Sequence, residues 1–226
     1  MDKPIRFFKN LGYEYQFLTA LGRSYHQGGD IGKLLHVASQ VQDGDAESAF
    51  RAFYEAGEAA ETIGQRSADR GHHVSAREAY CWATNYFHAA SGFLDASSDP
   101  TRLAPTWARQ QACWEQAVAL FDPPAEVVSI PFEGTALRGW FFRPTPVAEC
   151  RPTLILNNGS DGSQVGIWAA GGAGALARGY NCLIFDGPGQ NYALFHQNLH
   201  FRPDWEQVIT PVVNFLLMRG DVDAEH

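Results

Sequence analysis

The stretch of this chain best suited to chemistry is "LILNNGSDGS", residues 154–163, where an apolar run stops in a loop of Asn, Gly, Ser and Asp. A buried strand opening into small residues can aim several backbone N–H groups at one spot, and such a nest attracts negative charge. The anion is either a bound phosphate or an oxyanion that exists only during a reaction. A phosphate loop needs GxxxxGK[ST], and no GK[ST] ending occurs. Gly172, Gly174 and Ala177 match GxGxxA, but they lie well beyond the strand end and lack the following acidic residue, so they read as small residues for close helix packing. His196 and His200 in "HQNLH" would share a helix face, yet Gln197 stands where a zinc protease needs its general-base Glu. His72-His73 reads as a solvated turn. That leaves acyl transfer, in which a backbone N–H at a strand end stabilises the oxyanion of a tetrahedral intermediate. The Gly159-Ser160 step sits where that N–H would be offered, with the glycine permitting a sharp turn, and the amide of Ser160 or Asp161 should face the carboxyl end of a sheet without an internal partner. The alternative is an ordinary strand-to-helix turn.

Composition excludes several other classes. Lys+Arg 17 against Asp+Glu 25 leaves a net charge of −8, with no electrostatic footprint for nucleic acid or anionic lipid. The start, "MDKPIRFFKN", has no apolar core of signal-peptide length, and runs such as "VVNFLLM" are too short to span a bilayer, so the expectation is a soluble, cytoplasmic protein. Cys81, Cys113, Cys150 and Cys182 are scattered without a CxxC pair, which suits reduced thiols acting as small core hydrophobes. No cofactor or metal is expected.

Two patterns divide the chain near Pro123-Pro124, giving a helical domain over 1–124 and an α/β domain over 125–226. Before the division apolar residues recur at helical spacing: Ala46, Ala49, Phe50, Phe53, Gly57, Ala60 and Ile63, with Asp45 as N-cap. A second helix should start at "SARE" (75–78), a capping box with Val74 stapled to Ala79, and die in "DASSDP". A third carries Trp107, Gln111, Trp114, Val118 and Phe121. Aromatics on this helical face, chiefly Trp82, Tyr86 and Phe87, should divide between packing and the wall of a substrate pocket. After residue 124 the period becomes two, with a β-hairpin across "EGTA". Apolar runs at 153–156 and 182–185 read as parallel strands covered on both faces, separated by a Gly/Ala-rich helix over about 165–178. "RPDWEQVITPVVNFLLMRGDVD" predicts a last helix with Pro203 near its start and a kink at Pro211. Hairpin, strand, helix, strand, helix opens a doubly wound α/β domain.

Four stretches, "GGDIGKLLHVASQVQDGDAESAF", "GHHVSAREAYCWATNYFHAA", "ARGYNCLIFDGPGQ" and "FRPDWEQVITPVVNFL", resemble the cap-plus-core α/β hydrolases, which include 2,6-dihydroxypseudooxynicotine hydrolase and the fungal polyketide chain-shortening hydrolases. The resemblance runs from about residue 25 to the end. It implies an N-terminal helical cap followed by the first part of an α/β-hydrolase core, and a Ser-Asp-His triad cleaving a C–C bond next to a ketone, or an ester or amide, of a small-molecule substrate. It also admits a homodimer of the complete protein. Two departures stand out. The serine elbow G-x-S-x-G is absent from the 226 residues, so the triad is expected beyond His226 and the chain alone is expected to be inactive. In "GPGQNYAL", Asn191 stands where many relatives carry a further glycine. The strand at 153–156 would then be an open apolar edge and a route to aggregation. The rival from another class is a non-catalytic α-helical interaction scaffold, but no 34-residue self-similarity supports it; a nucleotide-binding α/β protein lacks its motifs.

Overall fold

The computed structural model describes residues 5–94 and 99–225. The chain forms two compact units, Met1–Ala117 and Val118–His226.

The first unit is helical. Helices α1 (Leu11–Gly22), α2 (Ile31–Gln40) and α3 (Ala46–Asp69) each start on an acidic or amide N-cap: Asn10 accepts from Gly12 N–H at 2.9 Å, Asp30 from Lys33 N–H at 2.6 Å, and Asp45 from Glu47 N–H at 3.0 Å. These caps satisfy donors that a helix start leaves unpaired. Helix α4 (His73–Ser91) departs from the sequence expectation. Gly71, at φ 72°, closes α3 with a left-handed turn in which His72 N–H reaches Ser67 O at 2.9 Å. The chain therefore re-enters helix at His73, Ser75 falls inside the first turn, and no side chain caps the start. Val74, expected to staple, is 59% exposed. Residues 95–98 of "DASSDP" lie outside the described residues. Helix α5 (Leu103–Ala119) completes the helical run.

Helices α3 and α4 run antiparallel in close contact, and two glycines of α3 make that possible. A Cβ on Gly57 would stand 2.7 Å from the Phe87 ring, and one on Gly64 would stand 2.8 Å from the Tyr80 ring. Arg109 of α5 holds its guanidinium 4.6 Å from the centroid of Phe87 and pairs with Glu58 and Glu61.

The second unit is a four-stranded sheet in the order β1-β2-β4-β3. β1 (Glu126–Phe132) and β2 (Thr135–Phe142) form the expected hairpin. Its two-residue turn places Glu133 at φ 40° and Gly134 at φ 80°, the left-handed pair whose twist matches the strands. β4 (Asn181–Phe185) is buried at all five residues and lies antiparallel to β2 and parallel to β3 (Thr153–Asn157). Burial on both faces explains the unbroken apolar run of β4, whereas β3, expected to be covered in the same way, is only partly buried. β3 is a terminal strand of the described sheet, with Leu154 38% exposed.

Helix α9 (Glu206–Leu217), with Pro211 inside it, covers one face: Val208, Val212 and Leu216 sit among Val128, Ile130, Leu137, Phe141, Leu183 and Phe185. Each such buried aliphatic side chain contributes about 2 kcal/mol. The connection from β3 to β4 is not one regular helix as expected. It consists of α6 (Gln164–Ile167), a π-helical turn at Trp168–Gly172, and α7 (Ala173–Leu176). In the wide turn the Trp168 ring lies 4.9 Å from that of Phe142, and Gly171 and Gly172 bring backbone against Leu156 and the Trp168 ring. The packing role read for Gly172 is the one the structure shows.

Gly57→Ala should destabilise the protein by about 1–2 kcal/mol, because the overpacking cost against a fully buried Phe87 exceeds the roughly 1 kcal/mol gained in helix propensity. Urea unfolding measures it; a higher urea midpoint in the alanine variant would contradict the close approach.

Candidate functional site

β3 and β4 end together, since Asn157 pairs with Phe185, and their following loops leave from the same carboxyl edge of the sheet. In open α/β sheets this edge is where ligands bind. The loop after β3 runs 158–163 to Ser163, whose hydroxyl caps α6 by accepting from Gly166 N–H at 3.2 Å. The loop after β4 runs 186–190 into α8 (Asn191–Phe195).

Gly159, Ser160 and Asp161 form the exposed crest of the first loop. Among the described residues, neither the Ser160 nor the Asp161 amide meets an acceptor. The reason given for Gly159 requires correction. Its φ is not positive and a Cβ there would meet nothing nearer than the Asp161 carboxylate at 4.0 Å, so no sharp turn demands glycine at this point. The tighter position is Gly162, where a Cβ would stand 2.5 Å from Asn158 Oδ1 and the Asn158 side chain would have to shift.

Below the crest is a polar layer that sequence reasoning missed. Asp186 is fully buried and is reached by no basic side chain within ion-pairing distance among the described residues. Its Oδ2 accepts from Gln164 Nε2 at 2.8 Å and its Oδ1 from Asn191 Nδ2 at 3.1 Å. Asn191 Nδ2 also donates to Gly162 O at 3.0 Å. Beside it, Gln190 Oε1 accepts from Gly187 N–H at 2.8 Å and from Asn157 Nδ2 at 3.1 Å, while Gln190 Nε2 donates to Asn158 O. Trp205 Nε1 completes the chain of bonds on Asn157 Oδ1 at 3.2 Å. Burial pushes the Asp186 carboxyl up to about 6, opposed by the hydrogen bonds from Gln164 and Asn191. The only hint in the sequence was an Asp at the end of the apolar run "CLIFD".

In the helical unit, Tyr86 and Phe87 are fully buried. The Tyr86 hydroxyl accepts from Asp30 N–H at 2.8 Å, and Phe87 is held edge-on by Tyr54 and over Gly57. Trp82 is partly exposed, with its indole N–H shielded and without an acceptor among the described residues. His196 follows the last residue of α8 and His200 lies in irregular chain, so the two do not share a helix face. Among the described residues no three His, Cys, Asp or Glu side chains converge as metal ligands, and no helix is long and apolar enough to cross a membrane. Cys81, Cys113 and Cys182 are buried and unpaired; burial raises the Cys81 and Cys182 thiols to about 12.

No family model matches the chain. Among curated proteins it is 35% identical over 223 residues to hydrolase acrC of Aspergillus aculeatus, a match covering 92% of this chain and 52% of the relative. It is 31% identical to hydrolase LUC6 of a Fusarium species, over 97% of this chain and 53% of that protein, and 33% identical to 20-hydroxy-prefusarin hydrolase FUS2 of Gibberella moniliformis, over 90% and 50%. The chain spans about half the length of the curated relatives it matches. Among solved structures, 2,6-dihydroxy-pseudo-oxynicotine hydrolase superposes with a TM-score of 0.73 at 21% identity, over 89% of this chain and 54% of that one. The helical unit followed by a mixed sheet is therefore the fold of that hydrolase over the matched length.

Because Asp186 titrates near 6 in the fold against 3.8 in the unfolded chain, the fold holds a proton between those values that the unfolded chain lacks. The resulting stabilisation is fully present below pH 3.8 and is lost as pH rises through 6. Wild-type protein should lose about 3 kcal/mol relative to Asp186→Asn between pH 4 and pH 7, read as the difference in urea unfolding free energies. A pH-independent difference would show that Asp186 is not held as described.

Proposed function

We infer that this chain, which is similar to fungal hydrolases over most of its length and carries the α/β-hydrolase fold, works as a hydrolase on a carbonyl group of a small organic molecule, with the 159–161 loop as an oxyanion donor. The observation that carries the reading is the pair of unpartnered amides, Ser160 and Asp161, on a crest at the carboxyl edge of the sheet. When a nucleophile adds to a carbonyl, the oxygen becomes an anion, and an N–H already aimed at it stabilises that state without reorganisation. An amide in water-facing chain with no internal acceptor is available for this; one within a ladder is not. The curated relatives are named hydrolases, and the names of 20-hydroxy-prefusarin hydrolase and 2,6-dihydroxy-pseudo-oxynicotine hydrolase each specify a small organic molecule.

The finer assignment rests on the resemblance. The nucleophile is a serine held by a His and an acid, and the bond broken is a C–C bond next to a ketone, or an ester or amide. Serine attack passes its proton to the His, the carbonyl oxygen takes the charge, and collapse expels the leaving group with that proton. The 226 residues contain no G-x-S-x-G, so this chain contributes the donor loop and not the elbow. Trp82, the partly exposed aromatic of the helical unit, is the best placed of the three aromatics to meet a substrate, since Tyr86 and Phe87 are engaged inside that unit.

A backbone donor responds to proline and not to side-chain removal. In the protein as its gene encodes it, Ser160→Ala should leave ester hydrolysis within about twofold, whereas Ser160→Pro or Asp161→Pro, whichever removes the donor, should lower kcat about 100- to 1000-fold with intact folding. Full activity in both proline variants would end the oxyanion assignment. The 226 residues expressed alone should take up no fluorophosphonate; stoichiometric labelling of a serine would contradict the assignment of the nucleophile outside them.

A further inference from the structure

We propose that Asn191 is a positioning residue that clamps the 159–162 donor loop to the end of β4. This deepens the functional reading above and rests on it for its catalytic consequence. One side-chain nitrogen carries two hydrogens, and both are used across the gap between the two loops. Asn191 Nδ2 donates to Asp186 Oδ1 at 3.1 Å and to Gly162 O at 3.0 Å. Asp186 holds the nitrogen in place, because a fully buried carboxylate without a cation keeps every donor it can reach. Gln164, buried at the start of α6, holds the other carboxylate oxygen at 2.8 Å. The donor loop is thus fastened at its far end, immediately after Ser160 and Asp161, by a carbonyl that cannot turn away without abandoning Asn191.

The backbone at Asn191 supports an assigned role over an incidental contact. Its φ is 27°, in the region that favours glycine and that asparagine tolerates at a cost. A glycine would relax the backbone and forfeit the clamp. The residue present does the opposite, holding a strained backbone while its amide joins two loops. Strain retained at a loop junction is characteristic of positions where local geometry serves the site. Gly189, at φ 81° and with no room for a Cβ against Phe201 at 2.6 Å, sets the path that delivers Asn191 to this point.

The test follows from that trade. Asn191→Gly keeps the backbone path open and relieves its strain but leaves Asp186 Oδ1 and Gly162 O one donor short, so the thermal midpoint should fall by about 2–6 °C with unfolding still cooperative. Backbone ¹⁵N relaxation on the wild-type protein should give order parameters of about 0.85 for residues 159–162, and in Asn191→Gly they should fall below about 0.6 while β4 remains rigid. In the protein as its gene encodes it, kcat for an activated ester should fall at least about fivefold with KM unchanged, since a loosened donor acts on the transition state and not on ground-state binding. A mobile 159–162 loop in the wild type, or one equally rigid in Asn191→Gly, overturns the clamp, and the first of these readings needs no variant. A loop that loosens while kcat stays constant upholds the clamp and overturns the oxyanion assignment instead, so the two failures are separable.

Discussion

A negative charge buried without a positive partner constrains everything around it, and Asp186 is such a charge. Leaving a carboxylate dry and unbonded would cost several kcal/mol, so neutral donors must converge on it. Here the donors include Gln164 from the start of one helix, Asn191 from the start of another, and the Tyr192 backbone N–H beside it. Each brings its own segment along: Gln164 anchors the turn into α6, and Asn191 reaches back to Gly162. The path of the loop after β3 is therefore set from outside itself. Its crest is free of internal bonds because its base is held by the neighbouring strand's loop.

The same logic extends sideways through Gln190. Its amide oxygen is shared by Gly187 and Asn157, its nitrogen binds the Asn158 carbonyl, and Asn157 in turn is held by Trp205. The donors and acceptors of this layer come from the last residue of β3, from the loops that follow β3 and β4, and from the starts of the helices those loops lead into, with Trp205 added from the segment before α9. Such a layer is rigid because loss of one bond leaves a buried polar group unpaired. The apolar faces beneath it, α9 on one side and the Trp168 turn on the other, supply stability, while the polar layer supplies geometry.

The helical unit follows a different rule. Its interior is governed by aromatic rings pressed onto backbone, with Phe87 over Gly57 and Tyr80 over Gly64. Tyr86 spends its hydroxyl on Asp30 N–H, at the start of α2, and burial raises its phenol above its ordinary value. Two of the three aromatics that face a helical stripe in sequence are thus committed to holding helices together. Trp82 alone keeps part of its surface.

Much of this was legible in the residues. Period 3.6 before Pro123 and period 2 after it placed α3, the body of α4, β1 and β2, because one-sided burial leaves a periodic trace. The unbroken apolar runs identified β3 and β4 as parallel strands, though only β4 is covered on both faces, and "NNGSDGS" marked the loop with free amides. The start of α4 was misplaced because Gly71 closes α3 through a left-handed turn, and a turn's conformation outranks a local capping pattern. The widened turn at Trp168–Gly172 was also invisible, since a Gly/Ala-rich segment reads as regular helix. What only the tertiary structure decided is the polar layer. Asp186, Gln164, Gln190 and Asn191 are ordinary loop or helix-start residues in sequence; the parallel pairing of β3 and β4 brings residues up to 33 positions apart within hydrogen-bond distance and buries them. Periodicity records which side of an element is buried, whereas a hydrogen bond between two loops depends on the register of two strands joined only through a helical connection.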